Sequence, residues 1–292
     1  MKKLLYIYKE GDFHFGEGGG KMLTTWLAND NRYELVMTHD LDTLVDLPNG
    51  QYAAVIVYTT GLHDDLTPAR EQGLLSFVQN GGGFIGIHSA TDSFRGSRAY
   101  INMINGEFLT HPHHHEFPVS IVEPNHYLTV RMPTITVYDE MYHLQNFDPT
   151  KATVLATTQW QGKAMPMVYV RNYGSGRVAY LANGHTQQSW NHPDFRKLLL
   201  RAIAWTTGAE LPMNTVRCGL LGYGPAFNMG KGHAGWINAT PGMKTVAMCD
   251  ASPARVEAAK QELPGLDLYC TDSDELLAMP DLDLVVVILP HN

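Results

Sequence analysis

The sequence predicts an α/β fold: a doubly wound sheet built largely of parallel strands, followed by a second, incomplete α/β unit. Three observations carry this. Four apolar runs, at residues 4–8, 33–37, 53–58 and 84–87, recur at roughly the thirty-residue spacing of a βαβ unit. Their unbroken apolar character suits parallel strands buried on both faces. Finally, a fresh strand, glycine turn and strand begin at Val216, after a short linker over residues 206–214 that contains Gly208 and Pro212.

Taken in order, the first strand runs into Gly11-Asp12-Phe13-His14-Phe15-Gly16-Glu17-Gly18-Gly19-Gly20. This stretch lacks the Lys-Ser/Thr ending of a phosphate loop and the glycine spacing of a dinucleotide fingerprint. It reads as an irregular loop near the carboxyl edge of the sheet, with His14 facing solvent in preference to substrate. Between the third and fourth runs, Thr67 is an N-cap and Pro68 a first helical residue. Leu74, Leu75 and Val78 share that helix's inner face, and Gly81 stops it. The fourth strand delivers His88, Ser89, Thr91 and Asp92 at its far end, where open α/β sheets present chemistry.

From Gly106 the texture changes. The loop Gly106-Glu107-Phe108-Leu109-Thr110-His111-Pro112-His113-His114-His115-Glu116 is dense in imidazole. Alternating segments at 119–122, 134–138, 154–158 and 167–170 read as strands. A turn at Tyr173-Gly174-Ser175-Gly176 leads into a strand at 177–183, and Gly184-His185 follows it. Phe195, Leu198, Leu199, Ala202 and Ile203 then mark the inner face of an amphipathic helix ending near Gly208. Beyond the linker, residues 216–221 form a strand entering the turn Gly222-Tyr223-Gly224. Residues 244–248 form a second strand ending at Cys249-Asp250, 253–262 a helix, and 284–289 a third, buried strand.

A chain of 292 residues suggests two domains, placed at 1–210 and 215–292. The net charge of −8, without a cluster of Lys and Arg, argues against a nucleic-acid or anionic-membrane partner. Met1-Lys2-Lys3 opens like a signal peptide, but Lys9 and Glu10 stop the apolar run too early. No other run is long enough to span a bilayer. Cys218, Cys249 and Cys270 match neither a zinc site nor a disulfide framework, which suits a reducing cytoplasm. No thiol nucleophile precedes Cys218.

Adjacent histidines on an extended loop point in different directions, and no HExxH-type helical spacing is present. The imidazole-rich loop is therefore expected to be solvated, with one or two functional histidines and no metal ligands. In the second unit, Gly222 and Gly224 permit close approach of a pyrophosphate to a helix N-terminus. Phe227 stands where the fingerprint has its third glycine. Asp250 is placed to accept from a ribose diol, which favours NAD; Arg255 and Ser252 nearby keep NADP open.

Two resemblances follow from these motifs. Residues 1–210 resemble the trehalose-utilisation (ThuA-like) family, which is similar in fold to the flavodoxin-like class I glutamine amidotransferases. The matching pieces are Gly81-Gly82-Gly83-Phe84-Ile85-Gly86-Ile87-His88-Ser89-Ala90-Thr91-Asp92, Gly106 with Phe108 and His111-Pro112, Asp139-Glu140-Met141-Tyr142, and Gly184-His185-Thr186 with Ser189-Trp190 and Phe195-Arg196. Residues from about 215 resemble the start of the Gfo/Idh/MocA oxidoreductases. There the matches are Gly222-Tyr223-Gly224, Pro241-Gly242, Val246-Ala247-Met248-Cys249-Asp250, Glu275-Leu276-Leu277 and Asp283-Leu284-Val285-Val286-Val287 with Pro290-His291-Asn292. In that family a Glu-Lys-Pro segment and a substrate-binding sheet domain come next, so the reading frame is expected to continue past Asn292.

The resemblance implies sugar metabolism. His88 stands at the strand-to-helix elbow where an amidotransferase carries its cysteine, and His185 stands where the partner histidine would be. Glutamine hydrolysis through a thioester is excluded by the missing thiol. His88, His185, Asp92, Glu107, His111 and Glu140, with Asp139 beside it, suit proton transfer and polyol binding, and they are expected to converge on one pocket. The expected substrate is a small sugar or keto-sugar, coupled to an NAD-dependent oxidoreductase; homo-oligomers remain open. Alternatives from other classes are a non-catalytic carbohydrate-binding or regulatory module, and a structural relic of the amidotransferase fold.

Overall fold

Each apolar run becomes a strand: β1 (Lys2–Tyr8), β2 (Tyr33–Thr38), β3 (Tyr52–Tyr58) and β4 (Gly83–Ile87). The computed structural model describes residues 1–11, 14–28, 30, 32–61, 65–224, 229–279 and 281–289. Phe227 and Pro290-His291-Asn292 lie outside these described residues. The chain divides into two units, one of residues 2–23 and 35–210, the other of residue 1 with 24–34 and 211–292.

In the larger unit β1 pairs parallel with β3, and β3 parallel with β4. Leu5, Ile7, Val55, Val57, Phe84 and Ile85 are fully buried, each contributing roughly 1.5–3 kcal/mol. Between strands stand α1 (Gly16–Leu27), α2 (Pro68–Gln79) and α3 (Arg98–Ile104). Thr67 caps α2 by accepting from Arg70 N, and Gly81 closes it at φ +113°. Gly82 N donates to Phe77 O and Gly81 N to Val78 O, the paired bonds that satisfy a helix's last carbonyls.

The glycine-rich stretch after β1, expected as an irregular loop, is helical from Gly16 onward. Glycine serves close packing there: a Cβ on Gly19 would stand 2.3 Å from the Trp190 ring, and one on Gly20 would stand 2.4 Å from Met37 Cε. Tertiary fit overrides glycine's poor helix propensity.

The second half of this unit comprises β5 (Glu107–Thr110), β6 (His115–Ile121), β7 (Ile135–Asp139), β8 (His143–Gln145), β9 (Thr153–Trp160), β10 (Lys163–Tyr173) and β11 (Gly176–Leu181), then α4 (Gln187–Trp190) and α5 (Pro193–Thr206). The expected solvated loop is thus partly strand: β5 pairs with β8, and β6 begins at His115. The main sheet has nine strands in the order β2-β1-β3-β4-β11-β10-β9-β6-β7. β11 is parallel to β4 and antiparallel to β10, so it joins a parallel half to an antiparallel one.

The smaller unit contains β12 (Val216–Leu221), α6 (Met229–Ala239), β13 (Met243–Cys249), α7 (Pro253–Glu262), β14 (Leu268–Cys270), α8 (Ser273–Leu277) and β15 (Leu284–Val287). Its sheet is parallel, in the order β14-β13-β12-β15. Separate apolar clusters form around Leu220, Tyr223 and Met248, and around Val246, Cys249 and Leu276. The last strand, expected as buried over 284–289, ends at Val287 and lies at an edge, leaving Leu284 and Val287 exposed.

Candidate functional site

Strand ends from both halves of the larger unit meet at Glu140. His88 directly follows β4 at φ +45°, a left-handed conformation that a non-glycine residue holds only under surrounding constraint. Here Tyr180 Oη donates to His88 O at 2.8 Å. The His88 ring lies against Tyr142, centroids 3.9 Å apart. Its Nδ1 is 2.7 Å from Ala182 O. A carbonyl only accepts, so Nδ1 carries a hydrogen, and Nε2 is the ring nitrogen turned to the pocket.

Glu140 follows β7, and its carboxylate collects imidazoles. Oε2 lies 3.2 Å from His88 Nε2 and 3.2 Å from His185 Nδ1. Oε1 lies 3.4 Å from His111 Nε2 and 3.6 Å from His114 Nε2. The His88 and His185 side chains are 0% and 11% exposed, whereas His111 and His114 are 33% and 35% exposed. The first pair forms a floor and the second faces solvent. Burial alone would raise the Glu140 carboxyl, but hydrogen bonds and charge from His185 and His88 outweigh it and hold the group well below the usual carboxylate range. Burial pushes the neighbouring Tyr142 phenol well up.

Asp139 fixes this geometry. It is fully buried and accepts four N–H groups. Oδ1 takes Glu140 N at 2.9 Å and His185 N at 3.2 Å, while Oδ2 takes Gly184 N at 2.8 Å and Asn183 Nδ2 at 3.3 Å. One carboxylate thus ties the end of β7 to the segment after β11. Gly184, at φ +128°, makes the turn there, and its carbonyl accepts from Tyr58 Oη and, at 3.0 Å, Trp190 Nε1.

His14, expected to face solvent, is buried. Its ring centroid lies 4.8 Å from that of His185 and 5.3 Å from that of His88, and Tyr142 Oη approaches its Nε2 at 3.5 Å. His14, His88, His185 and Glu140 each offer a ligand atom within 4.8 Å of the others. The expectation of no metal ligands drew on the imidazole-rich loop; this group is drawn from elsewhere.

Asp92 and Glu107 are gathered by Arg95. Arg95 Nη1 donates to Asp92 Oδ1 and Arg95 Nε to Glu107 Oε1, both at 3.1 Å. Thr60 Oγ1 donates to the other Asp92 oxygen, and Asn146 Nδ2 to the other Glu107 oxygen. These two acids therefore form a second polar group beside the histidine cluster. Sequence reasoning turned His14 to solvent, did not single out His114, and grouped Asp139 with the proton-transfer residues. His14 was open to the logic applied to His88, since it too follows an apolar strand at the carboxyl edge.

In the smaller unit, Gly222 turns at φ +103°. Asp250 Oδ2 accepts from Tyr223 N at 2.6 Å and Oδ1 from Ser252 N at 2.9 Å, which seats the carboxylate beside the glycine turn. No helix among the described residues is long and apolar enough to cross a membrane.

Residues 6–206 match the family described as ThuA, trehalose utilisation. Residues 216–292 match the Gfo/Idh/MocA oxidoreductase family, NAD-binding Rossmann fold. No curated protein matches the chain. Among solved structures, a ThuA-like protein of Parabacteroides merdae is similar at TM-score 0.62 and 19% identity, over 73% of this chain and 94% of that one. A ThuA-like protein of Bacteroides uniformis is similar at TM-score 0.59 and 19% identity, over 70% and 91%. Both likenesses are likenesses of fold.

Proposed function

This chain belongs to the trehalose-utilisation family, and from that premise we propose that its larger unit moves protons on a sugar or keto-sugar, coupled to an NAD-dependent sugar oxidoreductase. The observation that carries the reading is the Glu140 carboxylate faced by His88, His185, His111 and His114. Oxidation of a ring hydroxyl to a ketone acidifies the neighbouring C–H. An imidazole can then remove that proton and open isomerisation or elimination. His111 and His114 are the groups placed to exchange protons with solvent. Asp92, Glu107 and Arg95 supply hydrogen bonds at the rim for a polyol.

Residues 1–210 act as the sugar domain and 215–292 as an NAD(P)-binding Rossmann region. Asp250 selects NAD, because a carboxylate pairs with the ribose 2′-hydroxyl and repels a 2′-phosphate. Free buried Cys218, Cys249 and Cys270 suit a reducing cytoplasm.

The test is turnover of chemically prepared keto-sugars by the full chain and by His111→Gln and His114→Gln. The double variant should lose on the order of a hundredfold in kcat while still binding sugar. Full turnover in that variant refutes the proton-transfer reading. Binding with no turnover by the unaltered chain favours a carbohydrate-binding module. For the cofactor, NADH should bind more tightly than NADPH in a fluorescence titration; the reverse order refutes the role given to Asp250.

A further inference from the structure

We propose that His14, His88, His185 and Glu140 form a centre for one divalent transition-metal ion of the zinc class. Four residues from the segments that follow four separate strands bring three nitrogens and a carboxylate oxygen within 4.8 Å of one another. A tetrahedral ion with bonds near 2.1 Å holds its ligand atoms roughly 3.4 Å apart, and Glu140 Oε2 already stands 3.2 Å from both His88 Nε2 and His185 Nδ1. The donor set also fits. Imidazole with a single carboxylate suits zinc and its neighbours in the first row, whereas magnesium and calcium take oxygen-rich sites.

The hydrogen bonding of His88 is an independent argument. With Nδ1–H committed to Ala182 O at 2.7 Å, only Nε2 faces the Glu140 carboxylate, at 3.2 Å, and a ring without a further proton would meet it as an acceptor. Two acceptors in contact within a buried site need a positive charge between them, either an added proton or a cation. A dication shared among three rings and one carboxylate meets that need without charging several buried imidazoles together. A ligating histidine whose other nitrogen donates to a backbone carbonyl is also the usual support for a metal-bound ring. Asp139 adds a second layer, accepting from the backbone N–H of both Glu140 and His185.

The inference deepens the keto-sugar reading but does not need it. If that reading holds, the ion polarises the substrate carbonyl oxygen. As His111 or His114 takes the α-proton, the C–H electron pair becomes the C=C bond of an enediolate, whose oxygen charge develops beside the ion.

The test begins with metal analysis of the full chain as purified. The chain is then stripped with EDTA and titrated separately with Zn²⁺, Co²⁺ and Mg²⁺. About one zinc per chain is expected, with a tetrahedral Co²⁺ spectrum lacking thiolate charge transfer and with no competition from Mg²⁺. Glu140→Gln and His14→Gln, each checked for folding by circular dichroism, should weaken Zn²⁺ by at least about 100-fold. Less than about a tenth of an equivalent of any transition metal bound after titration overturns the proposal. So does a Co²⁺ spectrum with thiolate bands, which would place the ion at the cysteines, or unchanged affinity in folded variants. If neither variant folds, the stoichiometry and spectrum of the unaltered chain decide alone. Zinc binding without keto-sugar turnover removes the sugar reading and leaves the centre; turnover unaffected by complete stripping removes the ion's part in it.

Discussion

Replacing Asp139 by Asn tests whether one buried carboxylate organises the site. Each oxygen of Asp139 accepts two N–H groups, Glu140 N and His185 N on one, Gly184 N and Asn183 Nδ2 on the other. An Asn side chain keeps one oxygen and exchanges the other for an NH₂ donor. Whichever way it turns, two hydrogen bonds are lost and two pairs of donors face each other in a fully buried place. Hydrogen bonds to a charged group contribute about 1.5–3 kcal/mol each, so the expected loss is about 3–6 kcal/mol. For a unit of this size each kcal/mol shifts Tm by about 2–4 °C, and the variant should melt at least about 6 °C lower. Calorimetry with parallel urea titration measures this, and Asp139→Glu should fail to restore stability because the longer side chain displaces the same donors. A loss below about 1 kcal/mol would show that the four contacts do not hold the two strand ends together, and the reasoning would fall with it.

Two further outcomes follow from other parts of the larger unit. A Cβ at Gly176 would meet Val78 O at 2.0 Å and Gly82 O at 2.5 Å, so Gly176→Ala forces backbone apart and should cost about 1–3 kcal/mol or more in urea unfolding; unchanged stability would refute the close approach. Burial lowers the His126 imidazole, with Arg177 acting the same way against Glu123 and Glu210, and its Nδ1 accepts from Leu128 N at 3.2 Å. The folded chain therefore binds this proton less readily than the unfolded one, so His126's contribution is complete above about pH 6.5 and lost as pH falls below that. His126→Gln should flatten the stability profile over that range, and an unchanged slope would contradict the assignment.

The parallel half of the main sheet was legible because its strands are unbroken apolar runs, and α2 because Thr67, Pro68 and Gly81 punctuate it. His88 and His185 were legible for one reason, since each closely follows such a run. The helix starting at Gly16 was not, because the rings and sulfur that demand glycine there belong to Trp190 and Met37, remote in sequence. The burial of His14 is hidden for the same cause. Among the described residues β5 and β8 pair only with each other, and their four and three residues are too short for an alternation to declare itself. Asp139 looked like one more acid at a strand end. Its role depends on three N–H groups some forty-five residues downstream.

The position of β11 bears on how the chain is made. It is the last strand of the larger unit to emerge during synthesis, yet it lies in the middle of the sheet, between β4 and β10. Until it arrives, the nascent chain carries two partial sheets, each with an unpaired edge turned to solvent, and such edges recruit other chains. Closure comes late and over a long loop, which slows folding. A nascent chain whose β11 has not emerged keeps both edges open to other chains, while one whose β11 is free of the ribosome can seal both edges with a single insertion.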